Sequence, residues 1–426
     1  IIGRTNLIGR SIYAVIRTLS IGGFMPARYP VIGFINIGHL IDHMVMLIFP
    51  TAVLGMQTDF ARPYSELITL ALGGFIMFGA GSLPAGWLGD RWSRRNMMAV
   101  FFLGLGIATI ATGFTHTRWQ LAIGLASMGL FAAIYHPVGT AMLVGHAERV
   151  GRAIGVNGVW GNLGVASAAL ATGAVTQWLG WRWAFILPGA VAFGIGIAYL
   201  ALVPPEANQQ SRRGATVRHA SFPRAVIVRA FLVLVLVTLA GGIVFNATTV
   251  ALPKMVDERL PQLAGSTFGV GALVSAVYLV GAMSQLVMGR LIDRHPLKVG
   301  FLAIALLQAP LLLVASWSRG WGMILVLAGL VFVVFGQITF NDAMVARYTD
   351  AEWRSRVYAV RYLLSFGIAA TAIPLVAVMH AHGGFMALFQ VLSIAGALVT
   401  LGAVFFPYRP DELTPAPAFR EATAAE

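Results

Sequence analysis

The sequence contains no cysteine and few charged residues for its 426-residue length. The lack of cysteine excludes disulfide bonds and thiolate metal sites. Charged residues make up 11% of the chain and hydrophobic residues 58%, whereas soluble domains carry about 25% charged residues. This balance excludes an ordinary soluble domain and predicts an integral membrane protein.

The sequence motifs of nucleotide-binding pumps and of catalytic sites are also missing. The sequence has no Walker-type phosphate loop and no recognisable set of nucleophile, base and acid. Its polar stretches are too short to hold a soluble catalytic domain. We therefore expect no enzymatic activity and no cofactor. The net charge of +13 does not require a nucleic-acid partner, because the basic residues lie in short joints between hydrophobic runs beside the lipid bilayer.

Twelve hydrophobic segments are long enough to cross about 30 Å of hydrocarbon as helices. A stretch rich in Pro, Gln, Ser and Arg divides them six and six, so we predict an all-α membrane protein built from two six-helix bundles. The predicted spans are 31–56, 66–88, 96–115, 120–144, 153–178, 183–203, 229–252, 267–290, 298–317, 321–345, 356–379 and 384–406. The predicted parts are a basic N-terminal segment 1–29, a first bundle 30–203, a cytoplasmic linker 204–228, a second bundle 229–407 and a tail 408–426.

The distribution of basic residues predicts the orientation. With both termini in the cytoplasm, 23 of the 29 Lys and Arg residues lie on the inner side of the membrane. This bias over short loops follows the positive-inside rule and predicts cytoplasmic termini. The six outer basic residues are Arg62, Arg118, Arg182, Lys254, Arg259 and Arg319.

A short charged motif occurs twice at a fixed offset. Residues 86–95 read GWLGDRWSRR and residues 289–298 read GRLIDRHPLK, so that Asp90 and Asp293 are 203 residues apart. A second pair of acid-and-base stretches, 148–152 and 352–356, repeats at an offset of 204 residues. Two related halves are the organisation expected of a transporter built from internal repeats.

This repeated motif resembles the cytoplasmic loop signature of the major facilitator superfamily of secondary transporters, between helices 2 and 3 and between helices 8 and 9. The resemblance implies two pseudo-symmetric six-helix bundles, alternating access and a monomer in the inner (plasma) membrane of a bacterium. It also implies that the acid of the first loop meets the start of helix 11, so that Asp90 and Arg91 latch the outward-facing state. The residues expected to act in gating are Gly86, Asp90, Arg91, Arg94, Asp293 and Arg294.

Ionisable residues at membrane depth mark the predicted coupling site. They are costly in hydrocarbon and are found mainly in transport pathways. Asp42 in helix 1 is the candidate proton carrier, because a carboxyl group in a poorly solvated cavity can bind and release a proton as access alternates. His39 lies one turn before Asp42 and His43 directly follows it, and both could relay protons.

The repeat offset relates further polar residues to one another. Adding 204 to Asp42 reaches Asn246, and subtracting 204 from Arg361 reaches Asn157. The resemblance implies that helices 1, 4, 7 and 10 line a central cavity, where we expect solute contacts. Arg361 could bind a carboxylate, phosphate or phosphonate with its planar fork, or extend to the inner surface as an anchor. The candidate solute-binding residues are His136, Asn157, Asn246, Asn341 and Arg361.

Helices 4 and 5 carry two further signals. The Tyr135-His136-Pro137 element is similar to one in the fosmidomycin-resistance branch of the superfamily, and Pro137 removes a backbone donor and loosens the helix. Helix 5 carries glycines at 155, 158, 161 and 164, a spacing that lets a neighbouring helix approach closely. The helix 4 arginine and the Gly-Pro pair common in drug exporters are absent.

The leading hypothesis is a proton-coupled exporter of a small organic solute of anionic or amphiphilic character. One alternative is a divalent-metal exporter, in which His39, Asp42, His43 and His136 supply nitrogen and oxygen ligands. A membrane sensor without transport is a further alternative from another functional class.

Overall fold

The computed structural model describes residues 30–147, 150–204, 224–260, 262, 266–349 and 351–408, and the regular structure within these ranges is helical. The final helix, Ala351–Phe405, changes direction at Gly384, where φ is 61° and ψ is −164°. Its 55 residues would extend about 80 Å as one helix, more than twice the hydrocarbon thickness, so it makes two crossings. The twelve spans are α1 Pro30–Gly55, α2 Tyr64–Arg91, α3 Arg94–Gly113, α4 Arg118–His146, α5 Val150–Leu179, α6 Trp181–Leu202, α7 Arg224–Arg259, α8 Thr267–Arg294, α9 Leu297–Trp317, α10 Gly320–Tyr348, α11 351–383 and α12 385–405.

The predicted linker 204–228 is too long at its C-terminal end. Helix α7 begins at Arg224, because residues 225–228 are apolar and extend the helix that follows. The Arg229 side chain holds this first part of the helix against α12 by donating from Nε to the Phe405 carbonyl at 2.6 Å. The N-terminal segment 1–29, residues 205–223 of the linker, residues 148–149 and the tail from 409 onward lie outside the described residues.

Helix α4 contains a π-helical turn at Tyr135–Gly139. Pro137 lies inside this turn and cannot donate a backbone hydrogen bond, which favours a local change from α-helical to wider geometry. The α-helix resumes at Thr140 and continues to His146. The turn therefore sets the direction of the Tyr135 and His136 side chains in the middle of the span.

Exposed tryptophans mark the two predicted membrane surfaces. Six of them are more than half exposed and lie close to helix ends, where indole rings favour the interface between lipid and water. This arrangement supports a chain surrounded by lipid. The residues are Trp87 and Trp92 at the inner ends, and Trp119, Trp178, Trp317 and Trp321 at the outer ends.

Buried apolar residues form two cores that differ in depth. The larger core runs through both halves and includes Val53 of α1, Val256 of α7 and Phe385 of α12, all near the predicted outer side. A smaller core is confined to the inner part of the C-terminal half, with Leu297 and Tyr348 among its members. The apolar contact between the halves therefore lies toward the outer side.

Hydrogen bonds between α5 and α8 occur on the same outer side. Thr267 donates from its backbone nitrogen to Gln177 Oε1 at 2.9 Å and from Oγ1 to the Gly173 carbonyl at 3.1 Å. Deeper in the membrane, the Leu170 backbone nitrogen donates to Ser275 Oγ at 2.9 Å. These bonds join an N-terminal helix to a C-terminal helix, so the outer side is closed in this conformation.

Two of the four helix 5 glycines contact α1. A Cβ atom at Gly161 would lie 2.6 Å from the His39 ring, and one at Gly164 would lie 2.3 Å from the Leu40 carbonyl oxygen. Such distances are shorter than van der Waals contact, so only glycine permits this approach of α1 to α5. A Cβ atom at Gly155 or Gly158 would have no neighbouring atom within 4 Å, so these two glycines face open space.

The Gly164→Ala variant should destabilise the protein, because its methyl group would overlap backbone of α1 that cannot move independently. We expect a loss of about 1–3 kcal/mol, as found for overpacked cores. Gly158→Ala is the matched control and should be neutral or stabilising by up to about 1 kcal/mol. Thermal unfolding in detergent measures both, and equal midpoints for the two variants would contradict the packing described.

Candidate functional site

Three histidines from two helices meet in the middle of the N-terminal half. His39 and His43 lie one turn apart on α1, and His136 lies on the π-helical turn of α4. One ring nitrogen of each lies within 4.8 Å of one from each of the others. The His43 and His39 Nε2 atoms are 3.1 Å apart. The structure thus brings together the two proton-relay candidates and the solute-binding candidate His136, which are also the three histidines of the alternative metal site.

Asp42 lies directly beside this histidine cluster. Its side chain is fully buried, and its Oδ2 atom lies 3.5 Å from His136 Nε2. Neither carboxylate oxygen has a hydrogen-bond partner among the described residues. A buried carboxylate without hydrogen bonds is costly in a region of low polarity unless another charge or a proton neutralises it. An ionised Asp42 would therefore place at the cluster a buried negative charge that no hydrogen bond stabilises.

The orientation of His39 is set by helix α5. Its Nδ1 atom donates to the Asn157 carbonyl oxygen at 2.8 Å, since a carbonyl can only accept. In the neutral ring this leaves Nε2 as the acceptor, facing His43. The ring also stacks on Tyr135, with centroids 4.9 Å apart and planes inclined by 21°.

A buried polar network missed by the sequence analysis supports this arrangement. Asn157 Nδ2 donates to Asn36 Oδ1 at 3.0 Å and to the Tyr135 hydroxyl at 2.9 Å. That hydroxyl in turn donates to the Ile35 carbonyl at 3.0 Å. Asn157, predicted to contact solute, is thus engaged in bonds that join α1, α4 and α5. Asn36, one turn before His39, and Tyr135, next to His136, were the available signals.

The candidate residues of the C-terminal half lie in three different settings. Asn246 on α7 donates from Nδ2 to the Gly242 carbonyl of its own helix at 2.8 Å. Asn341 on α10 is buried. Arg361 on α11 is buried and forms an ion pair with the half-exposed Asp342 of α10. Arg361 is therefore paired with an acidic neighbour in this conformation.

The loop motif packs against the same part of α4 as the histidine cluster. A Cβ atom at Gly86 would lie 3.3 Å from Pro137, and one at Gly89 would lie 3.0 Å from Val138. The end of α2 thus rests on the π-helical turn of α4. The glycines of the motif allow this close contact.

The charged residues of the motif are exposed at the inner end of α2. Asp90 accepts from Arg94 Nη2 at 2.7 Å and from Nε at 3.1 Å, and the Arg91 guanidinium lies 5.1 Å from the Trp87 ring centroid. The α11 side chains that the resemblance pairs with Asp90, at 351–356, lie outside the described part. In the second copy of the motif, Asp293 and Arg294 are exposed at the inner end of α8.

A second polar cluster, also missed from sequence, joins the halves at the outer side. Glu258 of α7 lies 2.9 Å from His380 of α11 and 3.6 Å from Lys254. The His380 ring packs edge-on against Tyr64 of α2, with centroids 5.0 Å apart, and the Tyr64 hydroxyl donates to the Val250 carbonyl at 3.4 Å. This outer cluster adds polar contacts to the apolar closure of the outer side.

Comparison with known proteins identifies related chains. A puromycin resistance protein of Streptomyces alboniger is 33% identical over 143 residues, which are 33% of this chain and 27% of that protein. A probable sugar efflux transporter of Helicobacter acinonychis (strain Sheeba) is 26% identical over 248 residues, which are 56% of this chain and 60% of that protein. The matches therefore span from about a quarter to 60% of the length of these relatives.

The fold matches that of a solved transporter. A bacterial homolog of the human lysosomal transporter Spinster, in an inward-facing and occupied conformation, aligns with a TM-score of 0.72 and 14% identity, covering 90% of this chain and 97% of that chain. The sequence profile of the Major Facilitator Superfamily matches residues 35–342 and 259–425. Both findings agree with the twelve helices, the two halves and the repeated loop motif, so the predicted fold class is confirmed. The chain belongs to the Major Facilitator Superfamily, a family of membrane transporters rather than enzymes.

Proposed function

We propose that this protein is a proton-coupled secondary transporter that exports a small organic solute by alternating access. Its membership in the superfamily is consistent with secondary transport of a small solute. The proposal adds the coupling ion, the direction, the solute class, a bacterial inner membrane and a monomeric state. The observation that carries it is the full burial of Asp42 beside His136.

Asp42 is the proposed proton carrier because of its surroundings. Its oxygens lack hydrogen-bond partners among the described residues, so a bound proton is the simplest means of removing its charge. His136 at 3.5 Å provides a neighbour that can exchange this proton, and His39 and His43 extend the chain of ring nitrogens. Proton relays of carboxylates and histidines are a common use of ionisable groups in membranes.

Arg361 is the proposed contact for an anionic group of the solute. It is buried on α11, and its partner Asp342 is half exposed, so the pair lies where solute could reach it. A guanidinium can bind a carboxylate, phosphate or phosphonate with two parallel hydrogen bonds. Asn341, the neighbour of Asp342, is also buried and is proposed to contribute polar contact.

Export is supported by similarity to a puromycin resistance protein and to a probable sugar efflux transporter. We propose that the motif residues Asp90, Arg91 and Arg94 act at the inner gate. In the conformation described, Asp90 is bound to Arg94 of its own motif while the outer side is closed. An Asp90 that is exposed and held by Arg94 is placed where it can take part in an inner gate.

Replacement of Asp42 by Asn should remove the response of transport to a proton gradient. The amide keeps the size of the side chain but cannot bind and release a proton, so the coupled step is lost. Flux of puromycin, a monosaccharide and a small phosphonate can be compared in proteoliposomes with and without an imposed pH gradient. Asp59→Asn, at the outer loop, should behave as the wild type. A gradient response retained in Asp42→Asn would contradict the proposed role.

Replacement of Arg361 by Lys should weaken binding of anionic solutes about tenfold or more. Lysine keeps the charge but loses the planar fork, and hydrogen bonds to charged groups contribute about 1.5–3 kcal/mol. The shift in thermal unfolding with increasing phosphonate concentration measures this loss. Arg229→Lys is the matched control, because Arg229 donates to the Phe405 carbonyl at the inner ends of α7 and α12, away from Arg361. Equal shifts in both variants would remove Arg361 from the solute site.

Replacement of Asp90 by Asn should shift the population toward the inward-open, outer-closed state. The native chain has no cysteine, so cysteines at Gln177 and Thr267, which are in contact at the closed outer side, can be crosslinked without background. We expect more crosslinking with a short thiol reagent in Asp90→Asn than in the parent pair. Asp90→Glu keeps the charge and should resemble the parent. The same crosslinked fraction in Asp90→Asn and the parent would refute the latch.

A further inference from the structure

We propose that His39, His43 and His136 form a binding site for one divalent transition-metal cation, such as Zn²⁺ or Co²⁺, next to the Asp42 carboxylate. The inference goes beyond the proposed function, because it names a metal cation as a second solute that the carrier moves. It rests on four features of the cluster: nitrogen spacing, a fixed ring tautomer, a buried negative group and the number of histidine ligands.

The nitrogen spacing is close to that of a tetrahedral metal site. Zinc–nitrogen bonds of about 2.0–2.1 Å place two ligand nitrogens about 3.3 Å apart. The His39 and His43 Nε2 atoms are separated by 3.1 Å, which matches this edge. Ligand nitrogens of all three rings lie within 4.8 Å of one another, so at most about 1.5 Å of side-chain movement would bring the third nitrogen into place.

The His39 ring is held as metal-binding histidines are usually held. Such a ring almost always donates its second N–H to a carboxylate or a backbone carbonyl, which fixes the tautomer and the ring plane. His39 donates from Nδ1 to the Asn157 carbonyl and stacks on Tyr135. Its Nε2 lone pair is thereby aimed at His43. A cation between the two rings would replace the hydrogen that now joins their Nε2 atoms.

The charge of the site favours a cation. Asp42 is fully buried 3.5 Å from His136, and neither of its oxygens has a hydrogen-bond partner among the described residues. A dication bound by three neutral imidazoles would supply the counter-charge that this carboxylate lacks. Imidazole nitrogen suits zinc, cobalt, nickel and copper far better than it suits magnesium or calcium.

The number of protein ligands is consistent with a cation that must be released. Structural zinc sites are closed by four protein ligands, whereas sites with three histidines keep a fourth position for water or another exchangeable ligand. The three rings are partly buried, and the His136 side chain is 14% exposed. A fourth ligand that can exchange is what a transported ion requires.

The site can be tested on the purified full-length chain in detergent. Titration with Zn²⁺ by calorimetry should give one equivalent per chain, and Co²⁺ should produce the visible absorption of a tetrahedral complex. His39→Gln and His43→Gln should each lower the affinity about tenfold or more, since even changes to groups that only orient a ligand cost 10–100-fold. His146→Gln is the matched control, because that ring lies at the inner end of α4 and bonds to the Met142 carbonyl.

Gel filtration and circular dichroism show whether each variant is folded. If His43→Gln does not fold, His43→Asn is the second variant at this position. Absence of Zn²⁺ binding by the wild type, an octahedral Co²⁺ spectrum, or unchanged affinity in both folded variants would overturn the site. In proteoliposomes, the wild type should show a higher Zn²⁺ flux than His43→Gln. Equal flux in the two proteins would overturn the assignment of the cation as a solute. Failure of the pH-gradient assay with the organic solutes would refute the proposed coupling and leave Zn²⁺ binding intact, so the two failures can be distinguished.

Discussion

The arrangement of the site depends on the close approach of α1 to α5. Gly161 and Gly164 leave no side chain between the helices, so the His39 ring and the Leu40 backbone fit directly against α5. The same approach brings His39 within hydrogen-bonding distance of the Asn157 carbonyl. In a bilayer, where apolar burial adds little to helix association, close packing of small residues and interhelical hydrogen bonds supply the stability. Packing and site geometry therefore have the same cause.

Features set by local sequence could be predicted, and features set by contacts across helices could not. The spans follow from the length of the hydrophobic runs, and the proximity of His39 and His43 follows from their spacing of four residues in a helix. In contrast, Tyr64 and His380 meet across the two halves although more than 300 residues separate them. The bond from Arg229 to the Phe405 carbonyl likewise joins α7 to α12, a contact that no local pattern records.

Asn157 illustrates why a polar residue at membrane depth does not by itself reveal its function. Its amide bonds to Asn36 and Tyr135, and its main-chain carbonyl orients His39. Every residue has such a carbonyl, so its role depends on where the helix lies and not on the side chain. A carbonyl becomes available to a side chain only where a neighbouring helix comes very close. The glycines of α5 were therefore a better guide to this part of the site than Asn157 itself.

The helix α5 connects the histidine cluster to the closed outer side. Its inner half carries Asn157 and Gly161, which position His39, and its outer half carries Gly173 and Gln177, which bond to Thr267 of α8. A helix moves largely as a rigid element, so a change in the packing of His39 against α5 would also displace the outer contacts. Binding at the cluster could then bias the opening of the outer side without any direct contact between the two. The histidine cluster and the outer contact between the halves would be coupled through α5, because α5 contributes residues to both.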